Sequence, residues 1–143
     1  MVGDVLAKIQ VRLRALLEKS FSCYLSNETL GTFNKYKVGE GLSLHNDEYI
    51  IDDSSGVKIM SKTFSGFSKR DISSTIYWSD DFTGGEMVFP GHGIKYQPQK
   101  GSVIAFPSND GYEHEVLPVI SGRRIMSSMF WHRMTHEDNS THN

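Results

Sequence analysis

A single cysteine, Cys23, is the only thiol in this chain of 143 residues. That excludes an internal disulfide framework and any thiolate-rich zinc or iron–sulfur site, and Cys23 itself reads as a small buried hydrophobe. An excess of charge of one sign is also missing. With 15 Lys+Arg against 17 Asp+Glu, no electrostatic footprint favours nucleic acid or an anionic membrane surface. Long apolar runs are absent too: the opening stretch MVGDVLAKIQVRLRALLEKSF is broken by charges every few residues, which suits neither a signal peptide nor a membrane span. No internal repeat is visible. The expectation is a cytoplasmic protein with no nucleic-acid and no membrane partner, in which the Asn-x-Thr patterns at Asn27 and Asn139 carry little weight as glycosylation acceptors.

What is there divides into a helical start and a long β-rich remainder. Val5, Ile9, Leu13, Leu16 and Leu17 recur mostly at steps of three and four behind Asp4, a candidate N-cap, and predict one amphipathic helix over about residues 4–19 that covers a sheet. From Thr32 onward, short runs of β-branched and aromatic residues are punctuated by Gly, Asp, Asn and Pro. They predict strands near 32–38, 42–46, 57–62, 72–79, 86–90, 94–97, 102–106, 113–117 and 123–132. Many short, closely spaced strands after a leading helix imply a mainly β fold of the jelly-roll kind, in a single domain over residues 1–134. Residues 49–71 are polar and long for a connection, which fits a flap beside a functional site. Residues 135–143 have no apolar anchor and are expected to form a flexible tail in which His136 and His142 do nothing.

The chemistry gathers around three side chains. His45 and Asp47 stand one residue apart after a glycine-broken strand, and alone they could be a metal clamp or two solvated polar residues. A third candidate, His114, lies on a later strand that turns at Pro118, reverses at Gly122 and returns through Arg123 and Arg124. Two histidines and a carboxylate on one inner face make the facial triad suited to non-haem Fe(II), with three coordination positions open. A 2-oxo acid can fill two of these and dioxygen the last. The distal carboxylate of 2-oxoglutarate then calls for a fixed, bidentate cation, a role that Arg fills better than Lys.

Several motifs occur in one order: Tyr36, Val38, Gly39, His45 and Asp47; then Arg70, Tyr77, Ser79, Asp80, Gly84, Gly85, Val88, Phe89 and Pro90; then Pro98, Lys100 and Gly101; then His114, Pro118, Val119, Gly122 and Arg124. In this set, from about Tyr36 to Trp131, the chain resembles the catalytic domain of the prolyl 4-hydroxylases, which are Fe(II)- and 2-oxoglutarate-dependent dioxygenases. The resemblance implies a double-stranded β-helix core of the cupin kind. It also implies that His45, Asp47 and His114 are the iron ligands, that Arg124 and not Arg123 anchors 2-oxoglutarate, and that Tyr36 and Tyr77 line the co-substrate pocket. Arg70 falls where relatives face the peptide groove. The implied co-substrates are 2-oxoglutarate and dioxygen, with ascorbate as reductant. Two departures stand out: Met87 occupies a position that is often Thr in the family, and Leu42 one that is commonly aromatic.

The activity implied is hydroxylation of a C–H bond, C4 of a prolyl residue in a peptide or protein, with release of succinate and CO2. An alternative substrate class is a free amino acid or small metabolite, and an alternative of a different kind is a non-catalytic β-helix module that binds a metal or ligand. Such a module is expected to lose a triad member or the co-substrate cation, and this sequence keeps both. Repair of alkylated nucleic acid finds no basic surface here, and halogenation needs the Asp47 position vacated. His92 and His132 read as turn or surface residues.

Overall fold

The computed structural model describes residues 2–27, 33–48, 50–52, 59–61, 70–109 and 111–134. Most of the expected flap and all of the tail from 135 lie outside the described residues. The chain opens with α1 (Val2–Phe21), two residues longer at each end than its apolar pattern suggests. Asp4 thus falls in the first turn instead of capping it, where its charge still suits the positive end of the helix. The buried stripe is Leu6, Leu13 and Leu17, with Ile9 half-buried, whereas Val5 and Leu16 are exposed. At 100° per residue, positions 6, 9, 13 and 17 share one face and 5 and 16 fall beside it.

Among the described residues thirteen strands follow: β1 (Leu25–Asn27), β2 (Asn34–Tyr36), β3 (Leu42–His45), β4 (Ile50–Asp52), β5 (Ile59–Ser61), β6 (Ile72–Tyr77), β7 (Phe82–Gly84), β8 (Met87–Phe89), β9 (Ile94–Tyr96), β10 (Val103–Pro107), β11 (His114–Val116), β12 (Val119–Gly122) and β13 (Arg124–Arg133). A five-stranded sheet runs β1-β13-β6-β10, with β2 also paired to β13, and a four-stranded sheet runs β3-β11-β8-β9. Two pairs, β12 with β7 and β4 with β5, complete the assignment. The result is mainly β with one N-terminal helix, a jelly-roll core as expected. β1, β4, β7 and β12 have no counterpart in the sequence reading, which treats Val119–Gly122 as a turn. Among the described residues no helix is long and apolar enough to cross a membrane.

The five-stranded sheet is covered on both faces. All six residues of β6 are buried. On the outer face, Ile72, Ile76, Met129, Trp131 and Leu25 pack with Leu13 and Leu17 of α1, and Cys23 lies half-buried at its edge. Each large side chain removed from water there stabilises the fold by about 1.5–3 kcal/mol. The polar atoms in this layer are paired: the Trp131 indole N–H donates to Ser74 Oγ at 2.9 Å, and the Ser74 hydroxyl donates to the Met129 carbonyl at 3.0 Å. Antiparallel register sets Met126 against Tyr77, Ser128 against Thr75 and Phe130 against Ser73. By the two-residue period of strands, these side chains and Arg124 all turn to the inner face, toward the four-stranded sheet.

Candidate active site

Between the two sheets lies a cavity of about 240 Å³. One wall is Tyr36, Thr75, Arg124, Met126, Ser128 and Phe130 from the five-stranded sheet; the other is Leu42, His45, Met87, His114 and Val116 from the four-stranded sheet, with Asp47 beside them. Met87 and Leu42, the two departures from the family pattern, both form apolar parts of this wall.

A bulge brings His45 to it. His114 pairs with His45 and Val116 with Leu42, so a three-residue step along β3 matches a two-residue step along β11. Leu42 and His45, three apart, would otherwise face opposite sides of a strand. His45, Asp47 and His114 converge so that their potential ligand atoms lie within 4.8 Å of one another. His45 Nε2 is 3.1 Å from Asp47 Oδ1, and His114 Nε2 is 3.5 Å from Asp47 Oδ2.

The outer ring nitrogens set the tautomers. His45 Nδ1 donates to the Ser43 carbonyl at 2.7 Å and His114 Nδ1 to the Tyr112 carbonyl at 3.0 Å. A carbonyl can only accept, so in each neutral ring the proton sits on Nδ1 and the Nε2 lone pair faces Asp47. Burial pushes the Asp47 carboxyl up, but when the His45 and His114 rings are protonated their contacts with it outweigh burial and hold it below the usual carboxylate range. Burial pushes His114 down, against the pull of Asp47. Two imidazole lone pairs aimed at a buried carboxylate repel unless a cation or an added proton stands between them. The donor set therefore fits a divalent metal ion with imidazole and carboxylate ligands.

Arg124 is fully buried at the other side of the cavity, while its neighbour Arg123 is exposed. Arg124 Nε donates to the Gly85 carbonyl at 2.9 Å and Nη2 to the Tyr77 hydroxyl at 3.5 Å. Its guanidinium carbon lies 4.8 Å from the centre of the Tyr36 ring and 5.2 Å from that of Tyr77. Nη1 is buried and has no hydrogen-bond partner among the described residues. An unpaired buried guanidinium N–H is costly, and a carboxylate is its natural complement. Burial lowers the Arg124 pKa from its ordinary value, and it raises that of Tyr77 to about 12 despite the adjacent guanidinium. Tyr36 is raised as well, again by burial. Both phenols thus stay protonated as neutral donors.

Gly85 makes room for this arrangement. Its φ is +64°, and a Cβ there would stand 2.9 Å from Arg124 Cδ, so only glycine lets the carbonyl and the guanidinium approach. Arg70 lies at the rim, half-buried, with its guanidinium carbon 3.5 Å from the centre of the Phe130 ring. His92 is exposed, stacked on Tyr112 and bonded to the Gly111 carbonyl. His132 is fully buried, contrary to its surface reading. The last strand runs on through Arg133 and pairs there with β1, setting His132 opposite Ser26. Sequence reasoning also passes over Thr75, Ser73 and Ser108. A signal exists in the segment ISSTIY: Ile72 and Ile76 mark the outer face, so Ser73 and Thr75 fall on the other, inner face of a strand buried on both sides.

Comparison with known proteins points the same way. A family model described as the 2OG-Fe(II) oxygenase superfamily matches residues 31–133. A PKHD-type hydroxylase from Shewanella baltica is 30% identical over 112 residues, covering 74% of this chain and 44% of the relative. The chain thus spans less than half the length of the curated relatives it matches. Among solved structures, the viral collagen prolyl hydroxylase of Paramecium Bursaria Chlorella virus-1, determined as a 2OG complex, aligns with a TM-score of 0.69 and 25% identity, over 92% of this chain and 74% of that one. A 2OG-Fe(II) oxygenase family oxidoreductase from Burkholderia pseudomallei shares the fold, with a TM-score of 0.60 at 18% identity, over 84% of this chain and 51% of that one.

Proposed function

Because this chain belongs to the 2OG-Fe(II) oxygenase superfamily, we propose that it is a 2-oxoglutarate-dependent dioxygenase whose substrate is a prolyl residue of a peptide or protein, hydroxylated at C4. The observation that carries the reading is the convergence of His45, Asp47 and His114 in one cavity with the buried, partly unpaired guanidinium of Arg124. The overall reaction balances as C–H, dioxygen and 2-oxoglutarate giving C–OH, succinate and CO2. Fe(II), when bound, supplies the redox chemistry that couples dioxygen reduction to the oxidative decarboxylation.

The chain's own residues do the rest. His45, Asp47 and His114 would hold the metal ion through two imidazole nitrogens and a carboxylate. Arg124 takes the distal carboxylate of 2-oxoglutarate through Nη1, while Gly85 and Tyr77 hold the other guanidinium nitrogens in place. Tyr36 closes the side of this anchor as a neutral phenol. Leu42, Met87 and Val116 keep that part of the cavity apolar, which strengthens the ion pair by excluding water. Arg70, stacked on Phe130 at the rim, presents a cation and a flat surface to a peptide chain. Ascorbate would serve as the external reductant.

Similarity to a collagen prolyl hydroxylase at 25% identity supports the prolyl substrate. The test is incubation with Fe(II), 2-oxoglutarate, ascorbate and a panel of proline-containing peptides, followed by mass spectrometry. A one-oxygen gain on a prolyl residue, matched by succinate, is expected. Turnover of 2-oxoglutarate with oxygen gained only by free amino acids contradicts the peptide substrate, and no turnover at all contradicts the reaction.

A further inference from the structure

His92, which the sequence alone assigns to a turn or the surface, reaches the segment in front of a metal ligand. It ends a single 3-10 turn, Pro90–His92, that continues β8. Gly93, at a φ of +63°, closes this turn, and its N–H donates to the Pro90 carbonyl at 3.3 Å. From there His92 Nε2 donates to the Gly111 carbonyl at 2.8 Å, and the imidazole stacks on Tyr112 with centroids 4.8 Å apart and planes inclined by 26°. The next carbonyl along the chain, that of Tyr112, accepts the Nδ1 proton of His114 at 3.0 Å.

The carbonyls that meet the two histidine ligands are held differently. That of Ser43, which meets His45, lies inside β3. That of Tyr112 lies in the turn ahead of β11, which begins only at His114. Within this turn the Tyr112 N–H donates to the Asn109 carbonyl at 3.2 Å, and the Gly111 N–H is shared by both oxygens of the Glu113 carboxylate at 3.2 Å. These bonds tie the turn to itself. Gly111 stands at a φ of +93°, and glycine gives a backbone more freedom than any other residue. Among the described residues, restraint from outside comes from the Tyr112 ring, packed against Met87, Phe89 and Phe106, and from His92. Pairing of β8 with β11, Val88 opposite Glu115, brings the two turns to the same end of neighbouring strands.

We infer that His92 is a positioning residue for His114, acting through the Tyr112 carbonyl. Its hydrogen bond holds the Gly111–Tyr112 peptide and its ring holds the Tyr112 side chain, so the Tyr112 carbonyl keeps its aim at Nδ1. A carbonyl in that place fixes the tautomer and the ring orientation of a metal-binding histidine and raises its basicity. The inference deepens the reading of His45, Asp47 and His114 as metal ligands and rests on it.

The test uses the full chain and two readouts. In the metal-free, isotope-labelled protein, the His114 Nδ1–H resonance, assigned by its absence from His114→Ala, reports the bond to Tyr112 through its exchange with water. Titration with Co(II), followed by ligand-field absorption, reports the metal site, and thermal melts of each metal-free variant control for folding. His92→Phe keeps a ring on Tyr112 but has no donor. It should exchange the His114 proton faster and bind Co(II) more weakly by about 2- to 10-fold, the worth of one neutral hydrogen bond. His92→Gln, whose amide N–H can replace Nε2, should restore both. Unchanged exchange or unchanged Co(II) affinity in His92→Phe overturns the inference, even if the melting temperature falls, since a purely structural role moves only the latter. An equal loss in His92→Gln overturns it too. If His92→Phe does not fold, His92→Ala is read in its place by the same criteria. A wild-type chain that protects the His114 proton but takes up no Co(II) removes the ligand assignment itself, and this inference with it.

Discussion

Arg124→Ala isolates the co-substrate anchor from the rest of the site. The guanidinium is fully buried, fixed by Gly85 through Nε and by Tyr77 through Nη2, with Nη1 left to meet a ligand. Truncating one partner of a buried, hydrogen-bonded charge pair costs about 2–5 kcal/mol. At 1.4 kcal/mol per decade, this corresponds to roughly 30- to 4,000-fold in the 2-oxoglutarate dissociation constant. The metal ligands lie across the cavity, so the Fe(II) affinity of the variant should match wild type. The assay is anaerobic calorimetric titration of the Fe(II)-loaded protein with 2-oxoglutarate, beside a separate metal titration. Arg123→Ala is the internal control: its side chain is exposed, and surface substitutions of this kind usually stay within about 0.5 kcal/mol. Equal losses at Arg123 and Arg124, or wild-type affinity in Arg124→Ala, refute the reasoning.

Other perturbations separate the anchor from the scaffold. Tyr77→Phe removes one hydrogen bond to Arg124, worth about 0.5–1.5 kcal/mol, and should weaken 2-oxoglutarate by up to about tenfold without changing metal affinity in the same titrations. The same variant has a pH signature. Tyr77 is buried with its pKa pushed from 10.0 to about 12, so the folded form holds this proton more tightly than the unfolded chain. Stability should therefore be insensitive to Tyr77 below about pH 10 and fall as pH rises toward 12, and denaturant melts of Tyr77→Phe should show a shallower fall. Gly85→Ala places a Cβ 2.9 Å from Arg124 Cδ at a φ of +64°. It should lower the melting temperature and weaken 2-oxoglutarate binding more than metal binding. Leu17→Ala empties part of the layer between α1 and the sheet and should destabilise the fold by about 2–5 kcal/mol in chemical denaturation, leaving the ligand affinities of the folded protein intact.

The parts of this molecule legible in the sequence are those with a strong local period or a spaced set of unusual residues. The helix announces itself by apolar steps of three and four, although which stripe is buried depends on the sheet it meets, so Leu6 replaces Val5 and Leu16 in the core. His45, Asp47, His114 and Arg124 are recognisable because the glycines, prolines and tyrosines around them recur in a fixed order. The four strands that the sequence does not reveal are three or four residues long, too short to display an alternation, and each is held by its partner strand and not by its own propensity. Val119–Gly122 illustrates this, since Pro118 and Gly122 read as punctuation and only pairing with β7 makes the segment a strand. The bulge that turns both Leu42 and His45 inward is a property of two strands together. The buried hydroxyls of Ser73 and Ser108, 35 residues apart, meet only in the folded chain.

The central claim is that His45, Asp47 and His114 bind Fe(II) in the same cavity where Arg124 binds 2-oxoglutarate. Anaerobic addition of Fe(II) and 2-oxoglutarate, watched for the metal-to-ligand charge-transfer band in visible absorption, tests it most directly, because the band requires the metal and the chelating keto acid to be bound together. The account predicts the band in the wild-type chain, its loss in Asp47→Ala at any 2-oxoglutarate concentration, and its recovery in Arg124→Ala only at far higher 2-oxoglutarate. No band in the wild type, or an undiminished band in Asp47→Ala, would contradict it.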